Sequence, residues 1–269
     1  MGESCTCKWL PLEADPLLFA QYVNALGGPT SAAVEHGGET EKKHEGHEAL
    51  LSFEDVLSLE DWAVDMIAHP TVAVLLLFPI TEATEKARKE QEKQEATSKH
   101  LENIWFTKQT VGNACGTVAL LHCIANLPRD KFPLQPGQFL EHFLKETADL
   151  SPDARAKLLE TDRSLANSHK TFETKGQSAV PTPESDVDTH FVAFVCGGNG
   201  HLIELDGRRA APVDHGPIGE EGTTLEAVAQ SQRLLKKAVS VIKKEFVDRC
   251  PGELRFQIIA VGDAKAQRV

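Results

Sequence analysis

No stretch of this 269-residue chain is apolar for long enough to cross a bilayer. The longest run, Val72 to Phe78, falls far short of the roughly 20 residues a membrane helix needs. Its six cysteines (Cys5, Cys7, Cys115, Cys123, Cys196, Cys250) follow no framework spacing. Met1-Gly2-Glu3-Ser4 also lacks the basic and apolar regions of a secretory leader. These gaps point to a reduced, intracellular setting, cytoplasmic with the nucleus also open to it, where a free thiolate survives. Positive charge is short too. Lys and Arg number 28 against 40 Asp and Glu, a formal charge of −12. Such a surface argues against nucleic acid and suits a partner whose contact segment is basic. No metal or cofactor site is expected. The histidines of His44-Glu45-Gly46-His47 lie three apart, not the four of a zinc-protease helix, and Cys5-Thr6-Cys7 has no second ligand pair.

What is present suits one sizeable core: 41% hydrophobic and 25% charged residues, read as a single catalytic domain over 1–269. Trp9 to Glu13 is expected as a short edge strand. Asp15-Pro16 supplies a cap and a first-turn proline for a helix to about Leu26. Residues 29–50, with Gly37-Gly38, charges and histidines, read as a flexible insertion. Ser58 and Asp61 resemble a capping box for a helix through Met66. Thr71 to Phe78, apolar on both faces, predicts a central strand. Thr81 to Lys99 has no apolar stripe and reads as a solvated helix or a mobile segment. Helices are expected at 137–148 and from Ser151-Pro152. Residues 164–189 carry few large apolar groups and read as a long loop. Strands at 190–196 and 201–205 follow, then a helix capped by Thr223 and Glu226 and a closing strand from Leu254 to Val261.

The chemistry centres on Gln109 to Thr117. Cys115 stands at the expected first turn of a helix that is apolar almost all round and stopped by Pro128. Unpaired amide N–H groups and the helix dipole there favour the thiolate. Gln109, six residues upstream, offers a neutral donor to an oxyanion beside the Cys115 N–H. If the hairpin loop has three residues, Gly197 to Asn199, pair numbers sum to 396 and His190 stands opposite Asp206 on one face. A four-residue loop would instead set Asp206 opposite Phe191 on the other face. In the three-residue register Glu204 shares the face of His190 and is the reserve orienter. Nucleophile, base and orienter then form one set. Taken singly, each residue is more often structural; the combination carries the reading.

Several blocks together resemble the ubiquitin carboxyl-terminal hydrolases of the papain-like cysteine-protease type. They are Trp9-Leu10-Pro11-Leu12-Glu13-Ala14-Asp15-Pro16, Leu75-Leu76-Leu77-Phe78-Pro79-Ile80-Thr81, the Cys115 stretch, His190-Phe191-Val192-Ala193, Glu204-Leu205-Asp206-Gly207-Arg208 and Glu253-Leu254-Arg255-Phe256. They occur in family order over nearly the whole chain, as in the short single-domain members.

The resemblance implies an α+β fold of α-β-α layers: a mostly antiparallel six-stranded sheet flanked by helices, with a knotted backbone. It implies Cys115 as nucleophile, His190 as base and acid, Asp206 as orienter and Gln109 as oxyanion donor. Residues 164–189 correspond to a crossover loop over the active site. Pro11, Leu12, Glu13 and Ala14 match a ubiquitin-binding segment, and Asp55 is a further acidic candidate for ubiquitin's arginine-bearing tail. A monomer is expected, cleaving after the terminal glycine of ubiquitin or of a related ubiquitin-like modifier. Rival expectations are an inactive ubiquitin-binding module and a papain-like protease of other specificity.

Overall fold

The computed structural model describes residues 8–30, 48–92, 101–176, 187–197, 200–219 and 232–266. Six strands build the sheet: β1 (Leu51–Asp55), β2 (Thr71–Pro79), β3 (Thr189–Cys196), β4 (His201–Leu205), β5 (Val213–Pro217) and β6 (Gln257–Asp263). They lie in the order β1-β6-β2-β3-β4-β5, and every pairing is antiparallel. The two middle places go to β2 and β3, whose side chains are apolar on both faces and need cover on both. One face of β3 (Phe191, Ala193, Val195) enters one apolar cluster, and the other (Val192, Phe194) enters a second.

Eight helices among the described residues supply that cover. On the first face α1 (Pro16–Ala25), α4 (Cys115–Ala125), α5 (Phe139–Glu146), α6 (Pro152–Thr161) and α7 (Arg163–Phe172) contribute Phe19, Val118, Leu140, Leu159 and Leu165. On the second, α2 (Asp61–Met66) brings Val64. There α8 (Arg233–Ile242) brings Leu234, Leu235, Ala238 and Ile242, and a π-helical continuation, Lys243–Val247, adds Phe246. The charged helix α3 is Glu82–Glu92. The result is the expected α-β-α layering. Cap chemistry fixes several starts: the Leu18 N–H donates to Asp15 Oδ1 (2.8 Å) and the Ala154 N–H to Ser151 Oγ (3.3 Å), each ahead of a proline.

Several expectations are corrected. Trp9 to Glu13 is no strand: only Lys8 bridges Gly112, and the Trp9 N–H donates to the Gly112 carbonyl (2.9 Å), while Pro11 has no N–H to extend a ladder. Ser58 caps nothing; its Oγ accepts from the Glu60 N–H (3.2 Å), and α2 starts at Asp61. Residues 164–172, read as the start of the crossover loop, are helix α7. Asp162 Oδ1 accepts from the Leu165 N–H (2.8 Å), and Leu165, His169 and Phe172 are buried at helical spacing. Three anchors among polar neighbours make too thin a stripe to read. β6 begins at Gln257 rather than Leu254, which is 89% exposed. Residues 177–186, the capping pair Thr223 and Glu226, and the motifs at Cys5-Thr6-Cys7 and His44-Glu45-Gly46-His47 lie outside the described residues. So do 31–47 of the expected insertion. Its ends meet where Thr30 bridges Ala49 and the Leu50 N–H donates to the Pro29 carbonyl (3.0 Å).

Candidate active site

Cys115 is the first residue of α4, and no side chain caps that helix. Its backbone N–H is therefore among those without a helical partner. The side chain is only 6% exposed. Burial alone would raise the thiol pKa. The hydrogen bond to His190, the charge on that ring, and the Phe191 and Gly116 N–H groups outweigh it and hold the pKa below its ordinary value. Gly116 lets this turn sit tight: an added Cβ would lie 3.3 Å from Leu12 Cβ and 3.5 Å from the Phe191 ring.

His190 lies at the start of β3, buried, with the Phe78 ring edge-on at 5.7 Å. Its Nε2 is 2.6 Å from Asp206 Oδ1, which leaves Nδ1 for the thiol. Burial pulls the ring toward neutrality. Asp206, through charge and hydrogen bond, and then Cys115 reverse this and carry the pKa to about 9. Asp206 is likewise buried, which favours its protonation. The His190 charge and hydrogen bond, the Arg208 N–H (2.8 Å) and Arg209 bring its pKa down to about 2 instead. The site therefore favours a charged imidazole held by an ionised carboxylate, beside a thiol shifted toward its thiolate.

The hairpin reasoning had the right face and the wrong pairing. Observed pairs run Ala193–Leu205 to Cys196–Leu202, and the Gly197 N–H donates to the His201 carbonyl (2.8 Å), so pair numbers sum to 398. His190 and Asp206 are diagonal neighbours rather than opposite ones. A sum of 398 is as even as 396, so both stay on one face and within reach. Glu204 does not contact His190. Its Oε2 accepts from His215 Nε2 (2.8 Å) and its Oε1 lies 3.2 Å from Arg209 Nε.

Gln109 is fixed against the turn after Asp206. Its backbone N–H donates to the Gly207 carbonyl (2.8 Å), and Nε2 donates to the Val111 carbonyl (3.1 Å). That bond orients the amide and spends one of its two N–H groups, leaving the other for a ligand. Gly207 is required here, because a Cβ would come within 2.9 Å of Gln109 Cβ and 3.1 Å of its N.

The expected substrate-contact residues divide. Pro11 and Glu13 are partly exposed and Asp55 is exposed. Leu12 (4% exposed) and Ala14 have buried side chains within the core cluster. Asp55 is tied to that segment through Gln257, whose Nε2 donates both to Asp55 Oδ1 (3.1 Å) and to the Ala14 carbonyl. Sequence reasoning missed Arg209 altogether: an arginine just past an Asp-Gly turn reads as solvated, yet this one is buried beside Asp206. Among the described residues no group of His, Cys, Asp and Glu is arranged to hold a metal.

Comparison with known proteins identifies the family. A model of the ubiquitin carboxyl-terminal hydrolases, family 1, matches residues 42–239. Ubiquitin carboxyl-terminal hydrolase 3 of Arabidopsis thaliana is 38% identical, over 96% of this chain and 95% of its own. A ubiquitin carboxyl-terminal hydrolase of Drosophila melanogaster is 34% identical, over 96% and 98%. The fold is similar to that of the Trichinella spiralis UCH37 catalytic domain, solved bound to ubiquitin vinyl methyl ester. That match has a TM-score of 0.66 and 23% identity and covers 95% of each chain. With a thiol, an imidazole and a carboxylate aligned at a helix start, and with end-to-end likeness to these relatives, this chain belongs to the ubiquitin carboxyl-terminal hydrolase family of cysteine-type hydrolases.

Proposed function

We propose that Cys115, His190, Asp206 and Gln109 carry out hydrolysis of the bond after the C-terminal glycine of ubiquitin. The Cys115 thiolate attacks the glycine carbonyl, and the Cys115 N–H and the spare Gln109 N–H meet the oxyanion. The imidazolium of His190 donates its proton to the leaving amine or alcohol as the carbon–heteroatom bond breaks. Neutral His190 then takes a proton from water, which attacks the thioester and releases the carboxylate and the Cys115 thiolate. Asp206 holds the ring and balances its charge. The observation that carries this reading is the buried 2.6 Å contact between His190 and Asp206, beside a Cys115 thiol whose pKa the same ring lowers. That alignment in the free chain favours a working enzyme over an inactive binding module.

Pro11, Glu13 and Asp55 are the side chains best placed to meet the substrate, with carboxylates suited to the basic tail that leads to ubiquitin's terminal glycines. The same chemistry extends to a related ubiquitin-like modifier with such a tail. A free thiolate suits a reducing compartment such as the cytosol, and a monomer suffices because one chain supplies every group named. The test is turnover of a fluorogenic ubiquitin C-terminal amide. Activity is expected, with loss on Cys115→Ala while ubiquitin binding survives; undiminished turnover by Cys115→Ala would overturn the assignment. The same assay with ubiquitin-like modifiers measures preference.

A further inference from the structure

Asp206 has a second partner, on the side away from the imidazole. Its Oδ1 is occupied by His190 and the Arg208 N–H, while Oδ2 faces Arg209 Nε at 3.9 Å. Arg209 is 4% exposed and held from three directions. Its Nε lies 3.2 Å from Glu204 Oε1, its Nη2 donates to Gln91 Oε1 of α3 (2.6 Å), and its backbone N–H donates to the Asp206 carbonyl (2.9 Å). Glu204, 1% exposed, is held in turn by His215 of β5. The guanidinium therefore sets a positive charge behind the carboxylate.

The other charged groups around Asp206 do not duplicate it. Arg208 is turned to Glu85 of α3 (2.8 Å), and Arg88 is bonded to Glu85 and Glu92. Glu245 of the π-helical turn pairs with Lys244 and Arg249. His122 of α4 is kept neutral by burial, with its pKa near 4. Asp206, Glu204, Arg209 and Gln91 line one small cavity, together with the apolar side chains of Phe78 and Phe246.

The reaction gives Arg209 something to do. While His190 is an imidazolium, Asp206 has a counter-charge on its Oδ1 side. Once His190 has passed its proton to the leaving group, the ring is neutral, and a buried carboxylate facing it would tend to protonate. A second cation opposes that protonation through the interval.

We propose that Arg209 is a positioning residue that keeps Asp206 ionised and oriented while His190 is neutral, and so supports thioester hydrolysis. The proposal rests on Asp206 being the orienter, as argued above. It also gives Glu204 and His215 a role: they hold the guanidinium in place rather than touching the reacting groups.

The test is Arg209→Met, with Arg209→Lys, Asp206→Asn and the double variant Glu204→Gln/Arg209→Met beside it. Turnover of the fluorogenic ubiquitin amide is measured per active site, with Cys115 alkylation by iodoacetamide followed as loss of activity, both across pH. For Arg209→Met we expect about a tenfold fall in kcat near neutral pH with KM unchanged. The acid limb of kcat should move up by about one pH unit. Alkylation near neutral pH should stay within about twofold, because the resting ion pair keeps His190 charged. Arg209→Lys should recover most of kcat. The double variant, which removes Glu204 and Arg209 together and decides the matter if the single variant does not fold, should keep the shifted acid limb. An unchanged kcat and pH profile in Arg209→Met would overturn the proposal, as would their full restoration in the double variant, which would trace the defect to an orphaned Glu204. If Asp206→Asn is itself silent, the triad reading fails; if Asp206→Asn is impaired while the Arg209 variants are not, only the Arg209 proposal fails.

Discussion

Replacing Asp206 with Asn keeps the side chain's shape and removes its charge, so it isolates what that charge does for His190. The ring is fully buried, and burial by itself disfavours the imidazolium. Asp206 supplies the largest opposing influence, and with Cys115 it carries the pKa from 6.5 to about 9. That rise corresponds to about 3 kcal/mol of preference for the charged ring, on the order of a hundredfold in the population of the ion pair. Without the carboxylate, burial takes over, the ring is mostly neutral at pH 7.5, and the Cys115 thiol loses the partner that keeps its own pKa low. We therefore expect kcat/KM for a fluorogenic ubiquitin C-terminal amide to fall about a hundredfold at pH 7.5. The alkaline limb should retreat from near pH 9 to below 6.5. The assay is a kcat/KM profile from pH 5 to 10, with circular dichroism confirming an unchanged fold. An alkaline limb that stays near pH 9, with kcat/KM within threefold of the native value, would refute the reasoning.

Other outcomes follow from the same coordinates. The raised His190 pKa contributes stability that is complete below pH 6.5 and lost as pH rises through about 9, and the lowered Asp206 pKa contributes stability complete above pH 3.8 and lost as pH falls through about 2. Urea unfolding should therefore show the native chain's advantage over Asp206→Asn to be greatest between pH 4 and 6.5 and shrinking above it. Gln109→Ala should lower kcat about a hundredfold with little change in KM, as loss of an oxyanion donor does. Gly207→Ala should lower it in the same direction by displacing Gln109, which steady-state kinetics and a crystal structure would register. Thr117 Oγ1 lies 2.8 Å from His169 Nδ1 and 3.1 Å from the Tyr22 hydroxyl, all three buried. Thr117→Val should cost about 1–3 kcal/mol in urea unfolding by orphaning those groups, while turnover per folded active site holds.

The parts of this fold legible in the sequence were those in which chemistry and spacing are local. The all-apolar helix after Cys115 and the doubly apolar Thr71 run could only be buried, and both are. Cap-and-proline pairs at Asp15-Pro16 and Ser151-Pro152 announced helix starts because one side chain decides them. For His190 and Asp206, face was legible and pairing was not. Alternation on a strand fixes parity, while the exact pairing depends on a turn whose closing bond, Gly197 to His201, has no sequence signature. Helix α7 was hidden because three buried anchors suffice once α1 is there to receive them. The burial of Leu12 was not legible in its own segment, because it packs against Gly116 of α4, a hundred residues on. Arg209 was invisible for the same reason: Gln91, one of its anchors, comes from α3, which sequence alone does not bring to the turn.

The place of β6 bears on how the molecule is born. β6 lies between β1 and β2, so β1 has no neighbour in the sheet until Gln257–Asp263 arrives. During synthesis every residue of the triad has left the ribosome well before that strand does. A nascent chain halted after β5 would carry Cys115, His190 and Asp206 but no partner for β1, and no Gln257 to tie Asp55 to the Ala14 carbonyl. The strand that ties Asp55 to the Ala14 carbonyl is therefore delivered last, after Cys115, His190 and Asp206 have all been made.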